Sequence, residues 1–418
     1  MQLKTILNRV AKQPGFVFGA VELVSAGAAL SIDIRLRERK GSRGVCADCG
    51  KRRPGYDRLP ERRFQFVPLW NIAVYFLYAP RRVDCPRCGV IVELMPWAAG
   101  KSHITVSFAW FLQSWAKVLS WTETGRRFRV SWHVVFEAVR HAVEWGRAHQ
   151  DLDGIRCIGV DELSWKKGHK YLTVVYQVDH HRRRLLWIGR DRTAATFERF
   201  FEWLGKERGA LIEFVTSDMW AAFLGTVARK ACSAVQVLDR FHVMKLFSKA
   251  IDEVRREEAR KLRARGDTVT LKHTRWVLLK RKHHLTDKQA GRLSELLRAN
   301  LRTVRAYLLK EDFQSLWGYV SAYWAGRHLD DWTTLALRSR LPPFMKLART
   351  LRKHRTPLLN WFRARGKFAM GAVEGFNNKA RVTTKMAYGF RTYEHAEIAL
   401  FHRLGDLPEP SWLTHRFV

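Results

Sequence analysis

The chain has 418 residues, 47% of them hydrophobic, and carries 75 Lys and Arg against 39 Asp and Glu, a formal net charge of +36 and a pI of ≈ 10.6. This length and apolar content exclude a merely disordered basic tail, and 17 Trp and 24 Phe call for folded domains, two or three by length. So large a positive excess makes a polyanion the expected partner, nucleic acid first.

No secretory pattern opens the chain. The longest apolar run, residues 66–79, is too short for a membrane span, is broken by Pro68 and Asn71, and is flanked by Arg. The expectation is a cytoplasmic, nucleoid-associated protein with no membrane contact. Six cysteines in such a protein are not expected to form disulfides.

In chain order, residues 16–18 and 29–37 alternate like edge or hairpin strands. Next come Cys46-Ala-Asp-Cys49-Gly50 and Cys85-Pro-Arg-Cys88-Gly89. Two C-x-x-C knuckles, each followed by Gly, offer four thiolates for one tetrahedral structural Zn²⁺. The long gap between them can hold a hairpin, 64–67 with 72–78, as in a zinc ribbon. Cys157 and Cys232 lie in apolar stretches and are expected in the core.

Residues 107–146 read as helical, with Phe108, Phe111, Leu112, Trp115 and Leu119 at helical spacing. A short helix follows over 122–128, then a third helix N-capped by Ser131. Helix, short helix, tight turn and helix make a helix-turn-helix pattern, although Gly125 sits inside the second helix. Ser131, His133, Glu137 and Arg140 mark the expected DNA-reading face of the third helix.

From 155 to 240 strands and helices alternate. Ile155, Ile158 and Val160 form a buried strand that ends on Asp161. Strands 171–178 and 185–190 follow, then a helix over 196–207. A strand over 211–217 closes on Asp218, a helix runs from 219 to 230, and 234–238 makes a further short strand. The order β-β-β-α-β-α-β is that of the ribonuclease H-like fold, a mixed sheet flanked by helices. Residues 245–365 read as an α-helical insertion, and 245–310 carry 19 Lys and Arg against 7 Asp and Glu, a basic face for a DNA backbone. Trp276, Trp317, Trp324, Trp332 and Trp361 are expected to pack it, with one free to stack on an unpaired base. Glu374 then opens a helix that can return its carboxylate to the sheet, with Asn377, Asn378 and Lys379 within one turn to bind phosphate or substrate strand. Three carboxylates from separate elements suit divalent cations in phosphoryl transfer.

The Asp161 strand, Ser217-Asp218-Met-Trp-Ala-Ala, Leu238-Asp-Arg-Phe-His-Val243, Glu374-Gly-Phe-Asn-Asn-Lys379 and Tyr388-Gly-Phe-Arg391 together resemble the ISL-three family of insertion-sequence transposases. The resemblance covers nearly the whole chain, including the C-x-x-C pairs and the helix-turn-helix. It implies that Asp161, Asp218 and Glu374 are an Asp-Asp-Glu triad binding two Mg²⁺, with Mn²⁺ an acceptable substitute, and that Arg391 belongs to the DNA-contacting set. It implies an N-terminal region with the zinc ribbon over 1–100, a helix-turn-helix domain over 105–150, and a catalytic domain over 153–405. The partner would be double-stranded DNA, both element ends and target, and joining two ends calls for a homo-oligomer. Two other readings share these residues: a metal-dependent nuclease of the same fold, and a DNA-binding regulator that no longer cuts.

Overall fold

Period-two alternation in the N-terminal strands puts one row of side chains inward and one outward. The computed structural model describes residues 2–27, 29–166, 168, 170–280, 284–299, 301–369 and 371–412. The chain forms two units, one running to His149 and taken up again from Leu407, the other from Gln150 to Asp406.

The first unit opens with α1 (Leu3–Val10), β1 (Phe16–Ala26) and β2 (Ala29–Glu38). Short strands β3 (Gly44–Val45), β4 (Arg52–Arg53) and β5 (Gly55–Arg58) follow, then β6 (Arg62–Leu69), β7 (Ile72–Tyr78), β8 (Arg81–Cys85) and β9 (Gly89–Val92). β6 and β7 pair as the expected hairpin, but they do not belong with the cysteines. β7 also pairs in parallel with β2, completing a four-stranded sheet β1-β2-β7-β6. The reason is burial: Phe64, Phe66, Val74 and Phe76 share a core with Phe18, Ile34 and Trp97. The cysteines sit on two small sheets, β3-β4 and β5-β8-β9.

Three helices complete the unit: α2 (Val106–Ala116), α3 (Trp121–Phe128) and α4 (Trp132–Ala148). Ser120 and Glu123 form a reciprocal capping box on α3, and Ser131 caps α4. Gly125, which reads as a weak point of α3, is a requirement of the turn. A Cβ there would lie 2.7 Å from the Val130 carbonyl oxygen, and the Gly125 carbonyl accepts the Val130 N–H at 2.9 Å.

The second unit is built on β10 (Cys157–Lys166), β11 (Lys170–Val178), β12 (Arg183–Arg190), β13 (Phe214–Ser217) and β14 (Val235–Leu238), in sheet order β12-β11-β10-β13-β14. The first three strands pair antiparallel, and β10-β13-β14 are parallel. Helices α5 (Ala194–Leu204) and α6 (Lys206–Ala210) lie between β12 and β13, and α7 (Ala221–Lys230) lies between β13 and β14. Phe197, Phe200 and Phe201 of α5 and Phe223 and Val227 of α7 bury Ile158 and Val160 of β10. By alternation Gly159 and Asp161 face the other side.

Among the described residues, seven α-helices come next: α8 (Arg240–Ala264), α9 (Arg275–Leu279), α10 (Asp287–Arg298), α11 (Arg302–Ser315), α12 (Ala322–Arg338), α13 (Pro342–Lys353) and α14 (Arg355–Ala364), with a short 3₁₀ turn at Leu316–Gly318 after α11. Part of the basic run, residues 281–283 and 300, lies outside the described residues. Trp317, Trp332 and Trp361 are buried as expected, whereas Trp276 and Trp324 are exposed. Trp332 packs on Phe247 and Phe313 and donates its indole N–H to the Leu309 carbonyl at 2.7 Å. Two final helices, α15 (Ala372–Met386) and α16 (Tyr393–Leu404), return to the sheet. Cys157 is buried, but Cys232 is exposed, because it lies past the end of α7 rather than within it.

Candidate active site and metal centre

Strand register brings the acids together. Gly159 of β10 pairs with Thr216 of β13, so Asp161 and Asp218 each lie two residues beyond the same rung. Asp161 is therefore not at the end of its strand, which continues to Lys166 against β11; it lies where the parallel pairing with β13 has stopped. On the other side Ser217 pairs with Leu238, and the Asp239 N–H donates to the Ser217 carbonyl at 3.0 Å. Three neighbouring parallel strands thus present Asp161, Asp218 and Asp239 just past the last rungs of their parallel pairing, the usual side for a site in such a sheet.

Helix α15 adds the fourth acid. A Cβ on Gly159 would come within 2.2 Å of Val373 Cγ2, so the bare glycine lets α15 lie directly on β10. Glu374, next in sequence, lines a cavity together with Asp239. One turn on, Asn377 donates through Nδ2 to Asp161 Oδ2 at 2.5 Å and accepts the Tyr176 hydroxyl at 3.0 Å. Asn377 was expected to reach the substrate strand; at 3% exposure, with both ends of its amide engaged, it orients Asp161 instead. Tyr176 stacks on Phe376, ring centroids 4.8 Å apart, which fixes the hydroxyl donor.

Asp161 is 8% exposed, and its Oδ1 accepts the Glu162 amide at 2.7 Å. Burial holds its carboxyl above the usual range, against the pull of His242, the Glu162 amide and Asn377. Burial also raises Asp218, helped by the charge of Asp161, although the Trp220 amide and His242 pull it back. His242, within the Leu238–Val243 motif, also belongs to this cluster. Its Nε2 lies 3.8 Å from Asp161 Oδ1 and its Nδ1 3.4 Å from Asp239 Oδ2. Burial pulls the imidazole pKa down, but Asp239, Asp161 and Asp218 outweigh it and raise the value overall. Asp239 and His242 stand at i and i+3 at the start of α8, a spacing that reads as an ordinary helix pair until the sheet is in place.

The donor set here is hard oxygen, suited to Mg²⁺ or Mn²⁺, and the raised carboxyls are those a dication would stabilise as anions. Their spacing is looser than that of a closed metal cage. Among the described residues only Cys46, Cys49, Cys85 and Cys88 bring three or more such ligand atoms within 4.8 Å of one another.

Those four sulfurs fit zinc. Cys49 Sγ and Cys85 Sγ are 3.7 Å apart, against roughly 3.8 Å for the edge of a tetrahedron with Zn–S bonds of ~2.3 Å. Gly50 and Gly89 adopt φ of 68° and 76°, the left-handed turn that each knuckle needs. The Lys51 amide lowers the Cys49 pKa. Burial acts to raise Cys85, yet the Arg87 and Cys88 amides bring it down to about 6. Burial and the three other sulfurs push Cys88 up to about 12, a repulsion that a dication removes.

The remaining expected contacts lie at the surface or serve the fold. Ser131 Oγ accepts the Val134 amide. His133 and Glu137 are exposed on α4 beside a groove of ≈ 490 Å³. Arg140 is paired with Glu137 and, at 3.5 Å, with Glu144. Asn378, Lys379 and Arg391 are exposed. Asn378 accepts from Arg381 at 2.8 Å, and the Arg391 carbonyl accepts the Lys166 ammonium at 3.3 Å.

A model of a transposase family matches residues 158–400. A transposase for insertion sequence element IS1557 from Mycobacterium tuberculosis is 31% identical over 393 residues, covering 88% of this chain and 87% of its own length. A transposase for insertion sequence element IS1001 from Bordetella parapertussis is 30% identical over 354 residues, 84% of this chain and 86% of its own. With more than half of the chain matched to the family model and relatives aligned along most of its length, the protein belongs to the ISL-three family of insertion-sequence transposases.

Proposed function

We propose that this transposase binds the ends of its insertion sequence and cuts and rejoins DNA strands at an Asp-Asp-Glu centre formed by Asp161, Asp218 and Glu374. One observation carries the reading: Asp161 is buried in a central strand, level with Asp218 on the next strand, and tied through Asn377 to the helix that bears Glu374. The strand order, with three antiparallel strands followed by two parallel ones, supports a ribonuclease H-like catalytic domain spanning about 153–405 with a helical insertion at about 245–365.

Asp161, Asp218 and Glu374 would hold the divalent cations. Bound Mg²⁺, or Mn²⁺, supplies Lewis-acid activation of the attacking oxygen and neutralises charge at the scissile phosphate. The chain's own part is to aim the carboxylates. Asn377 and the Glu162 amide fix both oxygens of Asp161, the Trp220 amide fixes one of Asp218 at 2.9 Å, and Gly159 sets how close the Glu374 helix lies. His242 stands among the aspartates, and its charge when protonated opposes the burial that raises the Asp161 and Asp218 carboxyls.

Residues 105–150 are read as a helix-turn-helix, with Ser131, His133, Glu137 and Arg140 at its face, and 1–100 as a region containing a zinc ribbon on Cys46, Cys49, Cys85 and Cys88. Support comes from the α3–α4 turn and the sulfur spacing. Asn378 and Lys379 lie exposed on the Glu374 helix and Arg391 is exposed after its end, where substrate phosphates would pass. Double-stranded DNA is the partner, the working form is a homo-oligomer that joins two ends, and the place of action is the nucleoid. Among the described residues no helix is long and apolar enough to cross a membrane.

Asp161→Asn, Asp218→Asn and Glu374→Gln should each lower Mg²⁺-dependent cleavage of an end-containing duplex by two orders of magnitude or more while leaving the gel-shift unchanged. Cleavage near the parent rate by any one of them removes that residue from the centre. The same assay separates the rival readings. A nuclease would cut without joining strands, and a non-cutting regulator would shift the duplex without cutting it.

A further inference from the structure

A cavity of ≈ 340 Å³ opens beside the acids, and nothing in the proposed reaction uses it. Val237 and Leu238 of β14, Met244 of α8, Trp361 of α14 and Phe368 line it with apolar surface. Asp239 and Glu374 also border it, so it adjoins the reaction centre directly. Phe241 stands at its rim, 49% exposed, although its backbone is pinned by a 2.8 Å bond from its N–H to Asp239 Oδ1.

Protein interiors close gaps of this size, so an open apolar cavity flanked by carboxylates wants an occupant. Its volume lies at the low end of the range for small-molecule sites, about 300–1,000 Å³, too small for a duplex but ample for one flat ring system. Its walls are mainly apolar, with Asp239, Arg240 and Glu374 the charged residues among them. A protein of charge +36 draws a polyanion, and the neutral, flat, apolar part of a DNA strand is its base. The guanidinium carbons of Arg240 and Arg365 stand 6.0 and 5.8 Å from the Trp361 ring, so positive charge borders the aromatic wall where the attached phosphates would run.

We propose that this cavity receives a single unpaired nucleobase of the substrate DNA, drawn out of the stack beside the reacting phosphodiester and stacked against Phe241 and Trp361. The proposal rests on the reading of Asp161, Asp218 and Glu374 as the reaction centre. It adds a site for the base next to the cut, and a reason for an exposed aromatic side chain at the mouth of that centre.

The test uses the full chain and two duplexes of one sequence, differing only in whether a 2-aminopurine is paired or extrahelical. The parent should bind the extrahelical form roughly ten-fold more tightly and quench its fluorescence by stacking. Phe241→Ala, a change at an exposed position, and Met244→Trp, which fills the cavity, should each reduce the preference to about two-fold or less and abolish quenching, with paired-duplex affinity unchanged. Asp161→Asn should keep both preference and quenching. Equal affinity for the two duplexes without quenching in the parent overturns the proposal, and so does a preference that Phe241→Ala leaves intact. Should the triad variants still cleave while the base preference follows Phe241, the reading of the centre fails and the base site stands.

Discussion

Gly159 is one of two positions on which the candidate centre turns. Its missing side chain is the space that Val373 fills, so an added methyl would meet Val373 Cγ2 at 2.2 Å and Thr216 Cγ2 at 3.2 Å, both in buried surroundings. Gly159→Ala should therefore cost about 1–3 kcal/mol through overpacking and displace the helix that carries Glu374. Thermal melting and the cleavage assay should both report the loss. Gly375→Ala is the control, because a Cβ there meets nothing within 4 Å and a helix prefers Ala; it should melt at or above the parent temperature. Asp161 is the second such residue. Its folded pKa is raised, so its contribution to stability is greatest below the unfolded value of 3.8 and is lost as pH rises through the folded value. Above the folded value its buried charge lowers the stability of the metal-free chain. Asp161→Asn should then melt higher than the parent at neutral pH without divalent cation, and the gap should narrow as the pH falls towards about 4. A variant that melts lower at neutral pH would mean that the hydrogen bonds from Asn377 and Glu162 outweigh the burial of charge.

Elements were more legible than the contacts between them. β-Branched runs identified β10 and β14, and Ser131 marked the start of α4 through its hydroxyl. What a single chain does not display is closeness over long separations. The 2.5 Å bond from Asn377 to Asp161 spans 216 residues, and no local pattern distinguishes Asn377, which is buried, from Asn378, which is exposed. The hairpin β6–β7 was legible, but its attachment to β2 was not, because alternation shows which face is apolar and not which sheet receives it. Gly125 shows the same limit. Propensity counts it as a defect in a helix, while the fold uses it to bring the Val130 carbonyl to within 2.7 Å of where a Cβ would stand. Gly125→Ala should accordingly open the turn between α3 and α4 rather than strengthen α3. The expected outcome is loss of discrimination between end and scrambled duplexes in competition gel-shifts, with circular dichroism showing helix content largely kept. Unchanged discrimination would separate this turn from end recognition.

At the scale of the whole molecule, the cysteine cluster and the acid cluster belong to different units, and so their failures should be separable. The four sulfurs gather on strands of only two to five residues, with Val83 and Ile91 as their main apolar company. So small a core cannot offset the ordering of its own backbone, and bound zinc would supply much of the folding free energy there. The second unit has an extensive aromatic core of its own, Phe197, Phe200, Phe201 and Phe223 packed over β10, and no cysteine of the cluster contributes to it. Removing the metal with a strong chelator, or replacing Cys46 and Cys49 by Ser, should thus act locally. Amide hydrogen exchange followed by mass spectrometry should show protection lost across residues 44–93 and kept across 157–238. Salt-sensitive binding to random DNA should persist, since the basic run at 245–310 lies in the second unit, with a log K against log salt slope of about −0.9 per phosphate contact retained. Preference for end over scrambled duplex should fall with the zinc. If protection in 157–238 falls together with that in 44–93, the two units fold as one and the zinc is holding the catalytic half as well.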